Sequence, residues 1–115
     1  MKLNTIKKRE DFIKLQKQGG KIATKSVVVE FMPIEDFELN ELSHFGFTVS
    51  GKIGSAVYRN KAKRKLKEAV RLLLKTSPRL FKENYRYNFI GRFSTIERDF
   101  EAMIKDIKYA LHQIK

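Results

Sequence analysis

A chain of 115 residues with 42% apolar side chains can bury a core as one domain and is too short for two. Twenty-five Lys and Arg against thirteen Asp and Glu leave a formal charge of +12, a long-range field that favours a polyanionic partner, either nucleic acid or an anionic surface. No run approaches the roughly 18 apolar residues of a membrane span, MKLNTIKKREDF has no apolar signal core, and the lack of cysteine excludes disulfides, thiolate zinc sites and a cysteine nucleophile; a soluble, cytoplasmic protein without membrane contact is expected.

Taken in chain order, REDFIKLQKQ at 9–18 has acids in its first turn, lysine in its last and two glycines beyond, the pattern of a short helix. Its apolar side is thin: Phe12, Leu15 and Ile13. KSVVVEFMPI from Lys25 is a β-branched strand ending at Pro33, with Val27, Val29 and Phe31 on one face and Val28, Glu30 and Met32 on the other. The acidic stretch Glu35 to Glu41 reads as an exposed hairpin loop. HFGFTVSG then alternates strictly, placing Phe45, Phe47 and Val49 opposite His44, Gly46, Thr48 and Ser50, as a half-buried strand does.

A helix from about Ser55 to Lys75 follows. At about 100° per residue, Ala62, Leu66, Ala69 and Leu73 gather on one side, while Arg59, Asn60, Lys63, Arg64, Lys67 and Arg71 sweep across the other. From Ser50 to Arg79 there are ten basic residues and one acid, so this window alone holds +9 of the total charge. Like charges so crowded cost a few tenths of a kcal/mol per neighbouring pair, so an external anion must compensate. YRYNFIGRF supplies a further strand with Tyr85, Tyr87 and Phe89 on one face. Ser94-Thr95-Ile96-Glu97 reads as a capping box, opening a helix whose apolar stripe runs from Ile96 and Phe100 to Leu111 and Ile114. The order helix, strands, helix, strand, helix is an α+β layer sandwich, with no linker or repeat.

The chemistry of bond cleavage is missing from the pattern. A protein nuclease needs a histidine pair or carboxylates that hold divalent metal over the scissile phosphate. His44 and His112 fall in separate elements without a partner motif, and the acids at 35–41 lie far in sequence from the cationic helix. No residue is assigned as catalytic and none as a metal ligand. Binding has positive support instead: a cationic helix face tracks phosphates, and a nearby aromatic stacks on unpaired bases.

At GFTVSGKIGSAVYRNKAKRKLKEAVR the chain resembles the protein subunit of bacterial ribonuclease P. Ser50 and Lys52 match a strand ending in Ser-x-Lys, and Gly54, Ala56 and Val57 match Gly-x-Ala-Val. Arg59, Asn60, Lys63, Arg64 and Glu68 match Arg-Asn-Arg-x-Lys-Arg-x-x-Arg-Glu on the helix that follows. The resemblance, which extends over nearly the whole chain, implies one domain over 1–115 with an αβββαβα fold. Its sheet would have four strands and a left-handed βαβ crossover, against the usual right-handed rule. It further implies that Arg59, Asn60, Lys61, Lys63, Arg64, Lys67 and Arg71 bind a catalytic RNA. Phe12, Ser50, Lys52 and Lys63 would receive the 5′ leader of precursor tRNA in a cleft between the first helix and the sheet. Magnesium held chiefly by the RNA would serve endonucleolytic hydrolysis at the mature 5′ end, and no obligatory protein partner is evident. The alternative is a general or ribosome-associated RNA-binding protein with no link to catalysis. Three departures stand out. Lys61 and Lys67 replace arginines, which keeps charge but loses the planar fork. Gly51 stands where lysine is frequent, and Gln16 and Glu30 stand where further aromatics are common.

Overall fold

Residues 3–34 and 43–114 are described by a computed structural model, and within them the strand alternation resolves into a five-stranded mixed sheet. Along the chain run β1 (Asn4–Thr5), α1 (Arg9–Gln18), β2 (Gly20–Ala23), β3 (Val27–Pro33), β4 (His44–Thr48), α2 (Ala56–Thr76), β5 (Tyr85–Gly91) and α3 (Phe100–Gln113). The sheet order is β1-β4-β5-β3-β2. β4 pairs in parallel with both β1 and β5, whereas β3 is antiparallel to β2 and β5. From α1 onward the order is the expected αβββαβα. The sheet nevertheless has five strands rather than four, because Asn4–Thr5 joins its edge opposite His44 and Phe45. Two residues are too few to leave a period.

Three further expectations are corrected. β3 and β4 do not form a hairpin, since β5 lies between them; the acidic loop read at 35–41 lies outside the described residues. β2 escaped the pattern reading because it begins on a glycine and offers one β-branched residue, Ile22; its Gly20 sits beneath the ring of its cross-strand neighbour Phe31, where a Cβ would come within 2.3 Å of that ring. The last helix starts at Phe100, not Ser94. Asp99 is its N-cap and accepts from the Ala102 N–H at 3.3 Å, whereas the Ser94 and Thr95 hydroxyls donate across the fold to the Lys25 and Ser26 carbonyls.

Alternation sends Val27 and Val29 of β3, Phe45 of β4, and Tyr87 and Phe89 of β5 to one face, all fully buried. There α2 lays down Leu66, Ala69, Val70 and Leu73, and α3 lays down Met103, Ile107, Ala110 and Leu111. The Ser55 hydroxyl caps α2 by accepting from the Tyr58 N–H at 3.2 Å, and the chain turns at Pro78. Among the described residues, α1 is the one helix on the opposite face, where it contributes Leu15 and part of Phe12 to a small cluster with Ile6 and Met32. No described helix is long and apolar enough to cross a membrane.

Candidate nucleic-acid interface

Burial by α2 leaves its cations unequal. Asn60, Lys61, Arg64 and Arg71 are exposed, while Arg59, Lys63 and Lys67 are half-buried along one border. Several are already engaged within the protein. The Arg59 guanidinium donates to the Gly54 carbonyl at 2.7 Å, which fixes the turn before the helix. The Lys67 ammonium lies 5.8 Å from the centre of the Phe47 ring. Arg71 pairs with Glu68 at 3.3 Å, but both side chains are more than half exposed, so the pair is worth little and leaves Arg71 available. Lys61, Lys63 and Arg64 make no side-chain hydrogen bond or ion pair among the described residues.

Lys65 is a cation of the same helix with a different task. Its ammonium donates to the Ile96 carbonyl at 2.7 Å and to the Arg98 carbonyl. Desolvation lowers its pKa, with nearby Asp99 opposing the shift. It clamps the segment between β5 and α3 to α2 rather than facing solvent.

On the other sheet face, α1 and the strands enclose a cleft of about 560 Å³ lined by Lys7, Arg9, Phe12, Gln16, Lys21, Glu30, Thr48, Asn88 and Ile90. It exists because α1 has too few apolar residues to cover the strands beneath it. Phe12 approaches so closely that a Cβ on Gly46 would lie 2.4 Å from its ring, so β4 admits the ring only at a glycine. Across the cleft floor runs a polar ladder from four strands. Lys21 lies 3.6 Å from the Glu30 carboxylate; Glu30 accepts from the Asn88 amide at 3.1 Å, and the Thr48 hydroxyl donates to the Asn88 carbonyl oxygen at 3.0 Å. Glu30 is only 3% exposed, so the carboxylate is paired rather than offered to solvent. Asp11 and Arg86, 3.5 Å apart, tie α1 to β5.

Of the four residues expected to meet a leader, Phe12 lines this cleft. Ser50 and Lys52 sit in the exposed turn after β4, where the Ser50 hydroxyl accepts from the Lys52 N–H at 3.2 Å, and Lys63 lies half-buried on α2; none of the three is in the lining. Lys7, Arg9, Lys21, Thr48 and Asn88 were not anticipated. The alternation of β3 and β5 could have pointed to Glu30 and Asn88 as polar residues on one sheet face, but only the pairing register makes them neighbours. A second pocket, at the ends of α2 and α3, is lined by Arg79, Lys82, Lys108 and His112 with Leu80 and Leu111. Cations there balance the negative ends of two helices.

The Ribonuclease P family model matches residues 1–115. The chain belongs to the ribonuclease P protein family. Among curated relatives, the ribonuclease P protein component of Gluconacetobacter diazotrophicus is 32% identical over 108 residues, covering 94% of this chain and 88% of the relative. That of Ruegeria pomeroyi is 35% identical over 116 residues, covering 97% and 86%. Among solved structures, the Staphylococcus aureus RNase P protein superposes with a TM-score of 0.76 at 25% identity, covering 99% of this chain and 97% of that one. The Thermotoga maritima RNase P protein gives 0.73 at 24%, a likeness of fold, over 97% and 98%. The family's fold is therefore retained by this member nearly end to end.

Proposed function

We propose that the chain is the protein component of ribonuclease P: it binds that enzyme's RNA through the solvent face of α2 and aids removal of the 5′ leader from precursor tRNA. The observation that carries the reading is the exposed row of Asn60, Lys61, Arg64 and Arg71, with Lys63 at its border, on a 21-residue helix whose single acid is Glu68. Such a row neutralises successive phosphates and releases their counterions. The cleft under α1 receives the leader, with Phe12 as a stacking wall and Lys7, Arg9 and Lys21 around it. Ser50, Lys52 and Lys63 extend the path beyond the cleft. Bond cleavage belongs to the RNA. Among the described residues no three His, Asp or Glu side chains gather, so these residues do not fit a protein-held magnesium, and the ion is assigned to the RNA. The reading carries with it a cytoplasmic location and a left-handed sense for the β4–α2–β5 crossover.

The test is reconstitution. Adding the chain to a ribonuclease P RNA at low magnesium should restore cleavage at the mature 5′ end, and Arg64→Ala should weaken assembly and reduce the salt slope by about one unit. RNA binding without restored cleavage would favour a general RNA-binding protein. Cleavage by nuclease-free chain alone would place the active site in the protein.

A further inference from the structure

Phe93 is the most exposed large apolar side chain among the described residues, at 69%. A lone exposed ring is ordinary; this one stands on an unusually well-tied segment. The Arg92 N–H donates to the Thr95 hydroxyl at 2.7 Å, and the Thr95 N–H donates back to the Arg92 carbonyl at 3.0 Å. The Arg92 guanidinium, the Ser94 hydroxyl and the Thr95 hydroxyl donate to the carbonyls of Thr24, Lys25 and Ser26. Two side chains of α2 grip the same segment: the Tyr58 hydroxyl donates to the Phe93 carbonyl at 3.1 Å, and Lys65 holds the Ile96 and Arg98 carbonyls. The ring is thus displayed from a backbone that has little freedom left to lose on binding.

Its surroundings select the partner. Lys61, exposed and with no hydrogen-bond or ion-pair partner among the described residues, lies between Tyr58 and Lys65 at helical spacings of three and four, so the stripe that holds the Phe93 segment also carries a cation beside it. Arg92, next to Phe93 in the chain, and Lys25, whose carbonyl accepts from the Ser94 hydroxyl, are also exposed. An apolar ring amid cations fits a nucleotide, whose base stacks while its phosphate is neutralised, better than an apolar protein surface.

We propose that Phe93 is a stacking platform for an unpaired base of the RNA held by α2, on a side of the helix distinct from the leader cleft. The proposal rests on the assignment of α2 to RNA. Stacking on Phe93 adds affinity without adding charge and is tolerant of which base is present.

The experiment is assembly of the chain with ribonuclease P RNA over a salt titration, comparing Phe93→Ala, Phe93→Tyr and Arg64→Ala. Phe93→Ala should weaken binding by roughly five- to a hundredfold with an unchanged salt slope, Phe93→Tyr should bind as the parent does, and one nucleotide protected from base-specific chemical probing should become reactive in Phe93→Ala alone. Parent-like affinity of Phe93→Ala beside a weakened Arg64→Ala overturns the platform and leaves the α2 assignment standing; parent-like affinity of both overturns both. A large loss of thermal stability in Phe93→Ala would show that the ring packs rather than stacks. Self-association of the free chain in sedimentation, abolished by Phe93→Ala, would assign the ring to a protein contact and overturn the proposal.

Discussion

The two faces of one sheet are built from the same strands and do opposite things. Beneath α2 and α3, the rings of Phe45 and Tyr87 stack at 5.7 Å and those of Phe47 and Phe89 at 5.6 Å, in a continuous apolar layer. Beneath α1, one residue along each strand, the layer becomes Glu30, Asn88 and Thr48. The difference originates in the helices. α2 and α3 carry full apolar stripes and seal their face, whereas α1 brings little beyond Leu15 and Phe12. An incompletely covered sheet face becomes a cleft, and the polar groups within it must pair with one another.

The comparison breaks first if the sealed face can be emptied without harm. Phe89→Ala should cost about 3–5 kcal/mol of stability in urea unfolding; a loss below about 1 kcal/mol would mean that the face is not the core. On the cleft face the stabilising element is polar. Asn88→Ala leaves the Glu30 carboxylate with Lys21 as its remaining partner, and should cost about 1–3 kcal/mol in the same assay. A neutral result would mean that water replaces the amide and that the ladder is not structural.

A third measurement sharpens the contrast through pH. Burial pushes the Asp106 carboxyl upward, but hydrogen bonds from Arg98 and Ser26, together with the Arg98 charge, outweigh it and hold the group below its usual value of 3.8. A depressed carboxylate contributes stability above its unfolded pKa and loses that contribution as pH falls through the folded one. The stability gap between the parent and Asp106→Asn should therefore be flat near neutral pH and shrink below about pH 4. A gap that does not change on acidification would remove the ion pair from the account. The smallest effect concerns the cleft wall. Phe12→Ala should reduce the ratio of precursor to mature tRNA affinity in the reconstituted holoenzyme by about 1 kcal/mol, the lower end of the range for stacking of one base, since Gln16 supplies no second ring. Because Phe12 also packs on Gly46, circular dichroism must first show the variant folded; an unchanged ratio would make Phe12 a packing residue only.

Sequence alone determined what depends on local periodicity and composition. The limits of α1 follow from its terminal charges and the glycines beyond it, and the two faces of β3, β4 and β5 and the cationic side of α2 follow from spacing, because a helix repeats every 3.6 residues and a strand every two. The run from Ser50 to Glu68 sufficed to suggest the family. Tertiary structure decided what depends on partners distant along the chain. It added β1, a strand too short to carry a period, and moved the start of α3 to Phe100, because the hydroxyls of Ser94 and Thr95 bind carbonyls about 70 residues away instead of capping a helix. It gave Lys65, one of the ten basic residues between Ser50 and Arg79, an internal task, since only the fold brings the Ile96 and Arg98 carbonyls to its side of α2. The cleft floor belongs to the same class: Lys21, Glu30, Asn88 and Thr48 are unremarkable singly, and strand register makes them one ladder.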